Sequence, residues 1–232
     1  MSMLRPVAVV TDIEGTVIPI AYVYDVLFPY ARARLETCVA RDDAEIREIL
    51  GEIERAVPGQ APLLTLQHWM DRDAKIPALK SLQGIIWRQG FADGALVTPM
   101  YPDVAPWLRR WAGAGVRQFV FSAGSAEAQR LLFAHSSDGD LSPVFSGYFD
   151  TRAGGKRDID SYGRLAIGMN VPTLEVVFLS DAEDELDAAA AAGMRTCQLV
   201  READGTVASD RHPVAADFGA VARLMDLPGG SG

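Results

Sequence analysis

Four short stretches of this chain carry side chains able to act on an anionic substrate. The first is Asp12-Ile-Glu-Gly-Thr16, two carboxylates separated by one residue and followed by a glycine. In extended chain, residues two apart point the same way, so Asp12 and Glu14 can converge on one cation while Gly15 permits a sharp turn. The second is Ser122-Ala-Gly124, just ahead of Ser125, which is placed to cap a helix over Ala126 to Phe133. A hydroxyl beside the free N–H groups of a helix start makes an anion cradle. The third is Lys156 in Gly154-Gly-Lys-Arg157, a point charge able to meet both a phosphate and a carboxylate. The fourth is Asp181, which closes Phe178-Leu-Ser-Asp181.

Taken singly, each fragment also has an ordinary explanation. Acid-x-acid-Gly can end a strand in a solvated turn, Ser125 can cap a helix and do nothing more, and a loop lysine is usually exposed. Glu183, Asp184, Glu185 and Asp187 crowd the helix after Asp181, where the positive end of the helix dipole favours acids, so that cluster reads as structural.

The elements that must position these residues make the combination specific. Pro6 to Thr11, Val116 to Phe121, Glu175 to Ser180 and Arg195 to Val200 are short runs without polar alternation. That is what strands buried on both faces of a parallel sheet require. Helix-like stretches intervene, Asp158 to Ile167 and Glu183 to Ala192, the latter stopped by Gly193. Strand, helix, strand predicts an α/β fold with a Rossmann-like parallel sheet. Such sheets bind ligands beyond the carboxyl ends of their strands. Asp12, Ser122 and Asp181 each follow a strand, with Lys156 between the second and third, so all four point to one crevice.

Between the first two strands the pattern is helical. Apolar residues recur at helical spacing in Val23, Val26, Leu27 and Tyr30, in Ile46, Ile49, Leu50 and Ile53, and in Leu79, Leu82, Ile85 and Ile86. Pro58, Pro62, Pro77, Pro99 and Pro102 punctuate the stretch. The expected organisation is an α/β core domain of residues 1–18 and 99–228, a helical cap domain of residues 19–98, a return helix over Val104 to Ala112, and a disordered tail of residues 229–232.

Composition narrows the function classes. With 232 residues, 49% hydrophobic and 23% charged, and a mean hydropathy of +0.07, the chain can bury one sizeable core with one appended unit. A net charge of -9 and a pI near 4.8 argue against nucleic acid or an anionic membrane as partner, because both would be repelled. A small anionic substrate needs only local positive charge. Cys38 and Cys197 read as buried free thiols rather than a disulfide framework. No apolar run approaches the ~18 residues of a membrane span, and Val7 to Val10 is too short for a signal peptide, so a cytoplasmic location is expected. A monomer is the default expectation.

In that order, Asp-x-acid-Gly-Thr, a strand-end Ser, a loop Lys and a strand-end Asp resemble the four motifs of the haloacid-dehalogenase-like phosphatases. Glu14, where most of that superfamily has Asp, is similar to the acireductone synthases, the enolase-phosphatases of methionine salvage. Longer stretches resemble them too: Asp25 to Arg32, Ala78 to Trp87, Tyr101 to Val104, Ser122 to Phe133 and Phe145 to Thr151. The resemblance covers roughly residues 7–201. It implies Mg²⁺ held by Asp12, Glu14 and Asp181, substrate phosphate bound around Ser122, Ala123 and Lys156, and the helical insertion as a cap closing over the site. Val17 departs from the usual Thr, and Ala123 from a common second Ser.

The activity so implied is two-stage: enolisation of 2,3-diketo-5-methylthiopentyl-1-phosphate, then hydrolysis of the phosphate through an aspartyl-phosphate to give an acireductone. Asp12 would be the nucleophile, Lys156 a charge-stabilising residue, and Glu14 an acid/base or a metal ligand. The enolisation base is not named by the residues; Tyr22, His68 and Lys80 are candidates. Trp87, Trp107 and Trp111 read first as core. Two other readings stand beside this one: a phosphatase of the same superfamily acting on another small phosphate monoester, and a phosphate-binding module without turnover.

Overall fold

The computed structural model describes residues 5–230. Six parallel strands form one sheet in the order β3-β2-β1-β4-β5-β6. They are β1 (Ala8–Thr11), β2 (Arg117–Phe121), β3 (Gly147–Phe149), β4 (Val176–Ser180), β5 (Arg195–Leu199) and β6 (Val214–Ala215). Every residue of β1 and β4 is buried, as their unbroken apolar sequence requires of strands covered on both faces. β3 and β6 extend the expected four-strand sheet by one strand at each edge.

Two compact units emerge. One is the chain up to Ala21 together with the stretch from Thr98 onward; the other is Tyr22–Val97. The first holds the sheet and α5 (Val104–Gly113), α6 (Ala126–Ala134), α7 (Ile159–Met169), α8 (Glu183–Ala191) and α9 (Phe218–Leu224). One face of its core packs Val10, Phe121 and Phe178 of the strands against Tyr162 and Leu165 of α7 and Leu186 of α8. Elsewhere in this unit Trp111 stacks on Phe218 with ring centroids 5.3 Å apart.

The second unit is helical. A π-helical turn, Tyr22–Leu27, leads into α1 (Phe28–Val39), followed by α2 (Ala44–Ala56), α3 (Pro62–Asp71) and α4 (Pro77–Ala92). Prolines in the first turn start α1, α3 and α4, where a missing N–H costs no intrahelical bond. Asp43 caps α2 by accepting from Glu45 N and Ile46 N. Its own core gathers Ala31, Leu35, Ile46, Ile53, Leu66 and Leu82. Trp87 donates to Leu27 O at 2.9 Å, so the polar end of a half-buried ring ties the last helix of the unit to the π-helical turn.

Some details differ from expectation. Of the three tryptophans assigned to the core, only Trp111 is fully buried; Trp87 and Trp107 keep an edge in solvent. Gly229 and Gly230, expected in a disordered tail, are held against the core unit, with Gly230 N donating to Leu227 O and packing on the backbone of Ala222. Residues 231–232 of that tail lie outside the described residues. Cys38 and Cys197 are buried and unpaired with each other, as expected.

Candidate active site

β1 is central, and its parallel register pairs Thr11 with Val120 of β2 and with Leu179 of β4. Asp12, Ser122 and Asp181 therefore leave neighbouring strands at the same edge of the sheet. Asp12 N donates to Leu179 O at 2.8 Å, which extends the ladder by one bond and fixes where its side chain starts. Behind it the chain closes a wide turn, with Val17 N and Ile18 N both donating to Ile13 O. Gly15 makes this possible: its φ is +71°, and a β-carbon there would lie 2.5 Å from Oδ2 of Asp181. The turn is thus pressed directly against the acid from β4.

Lys156 reaches the same place from the loop before α7. Its Nζ lies 2.6 Å from Oδ1 of Asp12 and 2.6 Å from Oε2 of Glu185, and its side chain is 11% exposed. Ser180 donates to Glu185 Oε2 at 2.9 Å and accepts from Ala182 N at 3.1 Å. Tyr162 donates to the backbone carbonyl of Lys156 at 2.6 Å, which pins the lysine loop to α7. On the other side, Ser122 donates to Glu14 Oε2 at 3.3 Å and accepts from Gly124 N at 3.3 Å. Ala123 stands exposed at the mouth of that turn.

The electrostatics follow from crowding buried and half-buried carboxylates around the Lys156 ammonium. Burial lifts Glu14 above its ordinary value, the nearby charge of Asp12 adds to this, and Lys156 offsets it in part. Burial and Asp12 likewise push Asp181 up to about 6 and Glu185 up to about 7. Burial alone would lower Lys156, but Asp12 and Glu185 outweigh it and hold it charged. Hard oxygen donors short of positive charge suit a hard divalent cation. Among the described residues no three such side chains enclose an ion by themselves. That is compatible with Mg²⁺, which is commonly held by one or two carboxylates, waters and substrate phosphate rather than by an all-protein cage.

Residues 7–193 match the model of the haloacid dehalogenase-like hydrolases. The chain is 54% identical over 226 residues to "Enolase-phosphatase E1" of Acidiphilium cryptum, covering 97% of each chain. The enolase-phosphatase E1 of Granulibacter bethesdensis is 53% identical, over 97% of this chain and 99% of that one. The chain belongs to the enolase-phosphatase E1 family of haloacid dehalogenase-like hydrolases. The crystal structure of the UTR4 protein of Saccharomyces cerevisiae is similar too, with a TM-score of 0.81 at 30% identity over 92% of this chain and 99% of that one. The α/β core with a helical insertion is the architecture of this superfamily.

Within this member of the enolase-phosphatase family, the four stretches singled out from the sequence do come together. Asp12 and Lys156 are in direct contact, Ser122 touches Glu14, and Asp181 packs on Gly15. Glu185 was missed. Its place in the first turn of α8 had a sufficient explanation in the helix dipole, yet its carboxylate is the second partner of Lys156. The usable signal was its spacing, four residues after the strand-end Asp181. Arg201 was missed as well: it donates to Thr16 O and makes a two-pronged pair with Asp103, so a buried cation fastens the turn after Glu14. Of the residues considered for enolisation, all in the helical unit, Tyr22 is buried, Lys80 half-buried on α4 and His68 exposed on α3.

Proposed function

We propose that this hydrolase converts 2,3-diketo-5-methylthiopentyl-1-phosphate into an acireductone and inorganic phosphate, with Asp12 as nucleophile and Mg²⁺ as cofactor. The observation that carries the reading is the Asp12–Lys156 pair at 2.6 Å, buried at the carboxyl end of the central strand. A carboxylate that is to approach a phosphate dianion needs positive charge beside it, and the ammonium supplies that charge where both anions must meet.

In the hydrolytic stage a carboxylate oxygen of Asp12 bonds to phosphorus as the bond from phosphorus to the substrate's C1 oxygen breaks. Water then attacks phosphorus, releases phosphate and restores the carboxylate. Lys156 neutralises charge on the transferring group, and Glu185, itself held by the Ser180 hydroxyl, holds the ammonium toward Asp12. Ser122 and the backbone at Ala123 take the phosphate oxygens. Asp12, Glu14 and Asp181 are the side chains that would hold Mg²⁺, which when bound supplies charge stabilisation and polarises the substrate's oxygens. Glu14 accepts from Ser122 and so faces the phosphate side; a Glu14 carboxyl that carries a proton in place of Mg²⁺ would instead give that proton to the leaving oxygen. In the earlier enolisation stage a proton leaves C1 and the C2 carbonyl oxygen becomes a hydroxyl.

The test is to mix enzyme, Mg²⁺ and the diketo phosphate, following enol formation by ultraviolet absorbance and phosphate release in parallel. Both signals are expected, with Asp12→Asn abolishing phosphate release. Release from other small phosphate monoesters without turnover of the diketo phosphate would transfer the reading to a different phosphatase. Steady release by Asp12→Asn would remove Asp12 as nucleophile.

A further inference from the structure

A side chain of α6 bonds both ends of the turn Ser122–Gly124 between β2 and α6. Gln129, 1% exposed on α6, turns back under the helix start, and its Nε2 meets three carbonyl oxygens: Phe149 O at 2.7 Å, Gly124 O at 2.8 Å and Ser122 O at 3.4 Å. These belong to the end of β3 and to both ends of the turn. Three acceptors around one amide nitrogen leave no doubt about its orientation, because an amide oxygen there would face three oxygens. The other end of the group, Oε1, is buried and accepts no hydrogen bond from the described residues. An unsatisfied buried oxygen is costly, so retaining glutamine here is explained by its donor end alone.

From this geometry we infer that Gln129 is a positioning residue for phosphate. By drawing the carbonyls of Ser122 and Gly124 toward α6, it turns the N–H groups of the same two peptides the opposite way, away from its own amide, while the Ser122 hydroxyl meets Glu14. The inference rests on the reading that Ser122 and Ala123 bind substrate phosphate. Gln129 touches neither substrate nor reacting atoms; it acts through the turn.

Inorganic phosphate, a product and competitive inhibitor on that reading, is the probe. Gln129→Met keeps an unbranched side chain of similar length and removes the donor. Its inhibition constant for phosphate and its KM for the phosphate ester are expected to rise about tenfold, the order of one lost hydrogen bond, while kcat changes less than about threefold. Gln129→Glu, which puts a charged acceptor against three carbonyls, is expected to weaken phosphate more than Gln129→Met does. Inhibition constants do not depend on the fraction of enzyme that folds, so a poor yield of either variant does not spoil the comparison. A residue that merely fills space would tolerate methionine, so a wild-type inhibition constant in Gln129→Met overturns the inference. Ser122→Ala separates the two layers. If it weakens phosphate and Gln129→Met does not, only the role of Gln129 falls; if Ser122→Ala leaves phosphate inhibition unchanged, the phosphate-turn reading falls and this inference with it.

Discussion

The ammonium of Lys156 is shared between Asp12 and Glu185, 2.6 Å from each, so the nucleophile's charge partner is itself anchored by a second acid from α8. Replacing the lysine therefore removes the cation that bridges Asp12 and Glu185. Lys156→Met is expected to lower kcat about a thousandfold. Glu185→Gln loosens the ammonium and should cost about tenfold, because one of its two anchors is weakened but Asp12 remains. Phosphate-release kinetics on both variants check the order; equal losses would mean Glu185 does more than hold the lysine.

Raised carboxyl groups make the stability of the metal-free protein depend on pH in a definite direction. Asp181 near 6 and Glu185 near 7 bind protons in the folded state that they have already released when unfolded. Stability from these groups is fully present below about pH 4 and is lost as pH rises through about 6 and 7. The melting temperature in EDTA is expected to fall between pH 5 and pH 8. Mg²⁺ should restore more of it at pH 8 than at pH 5, since a cation favours the ionised carboxylates. Scanning fluorimetry with and without Mg²⁺ measures this; an Mg²⁺ effect that is larger at pH 5 would contradict the assignment of the carboxylate cluster.

Gly15 is a position where a single methyl should be felt in both stability and activity. Gly15→Ala forces an L-residue to a φ of +71° and brings its β-carbon against Asp181. The backbone cost is about 1–2 kcal/mol, and displacement of Asp181 is expected to lower kcat/KM at least about tenfold. A urea melt paired with kinetics separates the two effects.

Arg201 is 5% exposed and holds Asp103 through two hydrogen bonds at 2.9 and 3.1 Å as well as Thr16 O. Arg201→Met strands Asp103 without its partner and should destabilise by about 3–5 kcal/mol. Asp103→Leu in the same chain should recover part of that loss, because no uncompensated charge is left. Urea midpoints of the two single variants and the double variant give the coupling directly.

What could be read from the sequence tracked the length and chemistry of each element. β1 and β4 are four and five residues of nearly continuous apolar or β-branched chain, β2 and β5 each carry one Arg and one Gln among such residues, and each was visible as a strand. β3 and β6 are three and two residues long, too short for any period, and owe their conformation to the strand edge they join. Asp12 and Asp181 were legible because they end buried strands. Glu185 and Gln129 were not, because a helix explains an acid in its first turn and tolerates a glutamine anywhere; their work depends on what the fold brings opposite them. Arg201 follows β5 but finds its partners about a hundred and nearly two hundred positions earlier, a separation no local pattern reports.

The strand order has a temporal consequence. β1 is made first, yet both of its neighbours, β2 and β4, lie beyond the helical unit in the chain. As the polypeptide leaves the ribosome, Tyr22–Val97 is complete, with its own apolar core, before β1 has any strand to pair with. At synthesis rates of about 5–20 residues per second, the central strand waits several seconds for its first partner and longer for the second. The nascent chain thus assembles its insertion before the domain into which it is inserted.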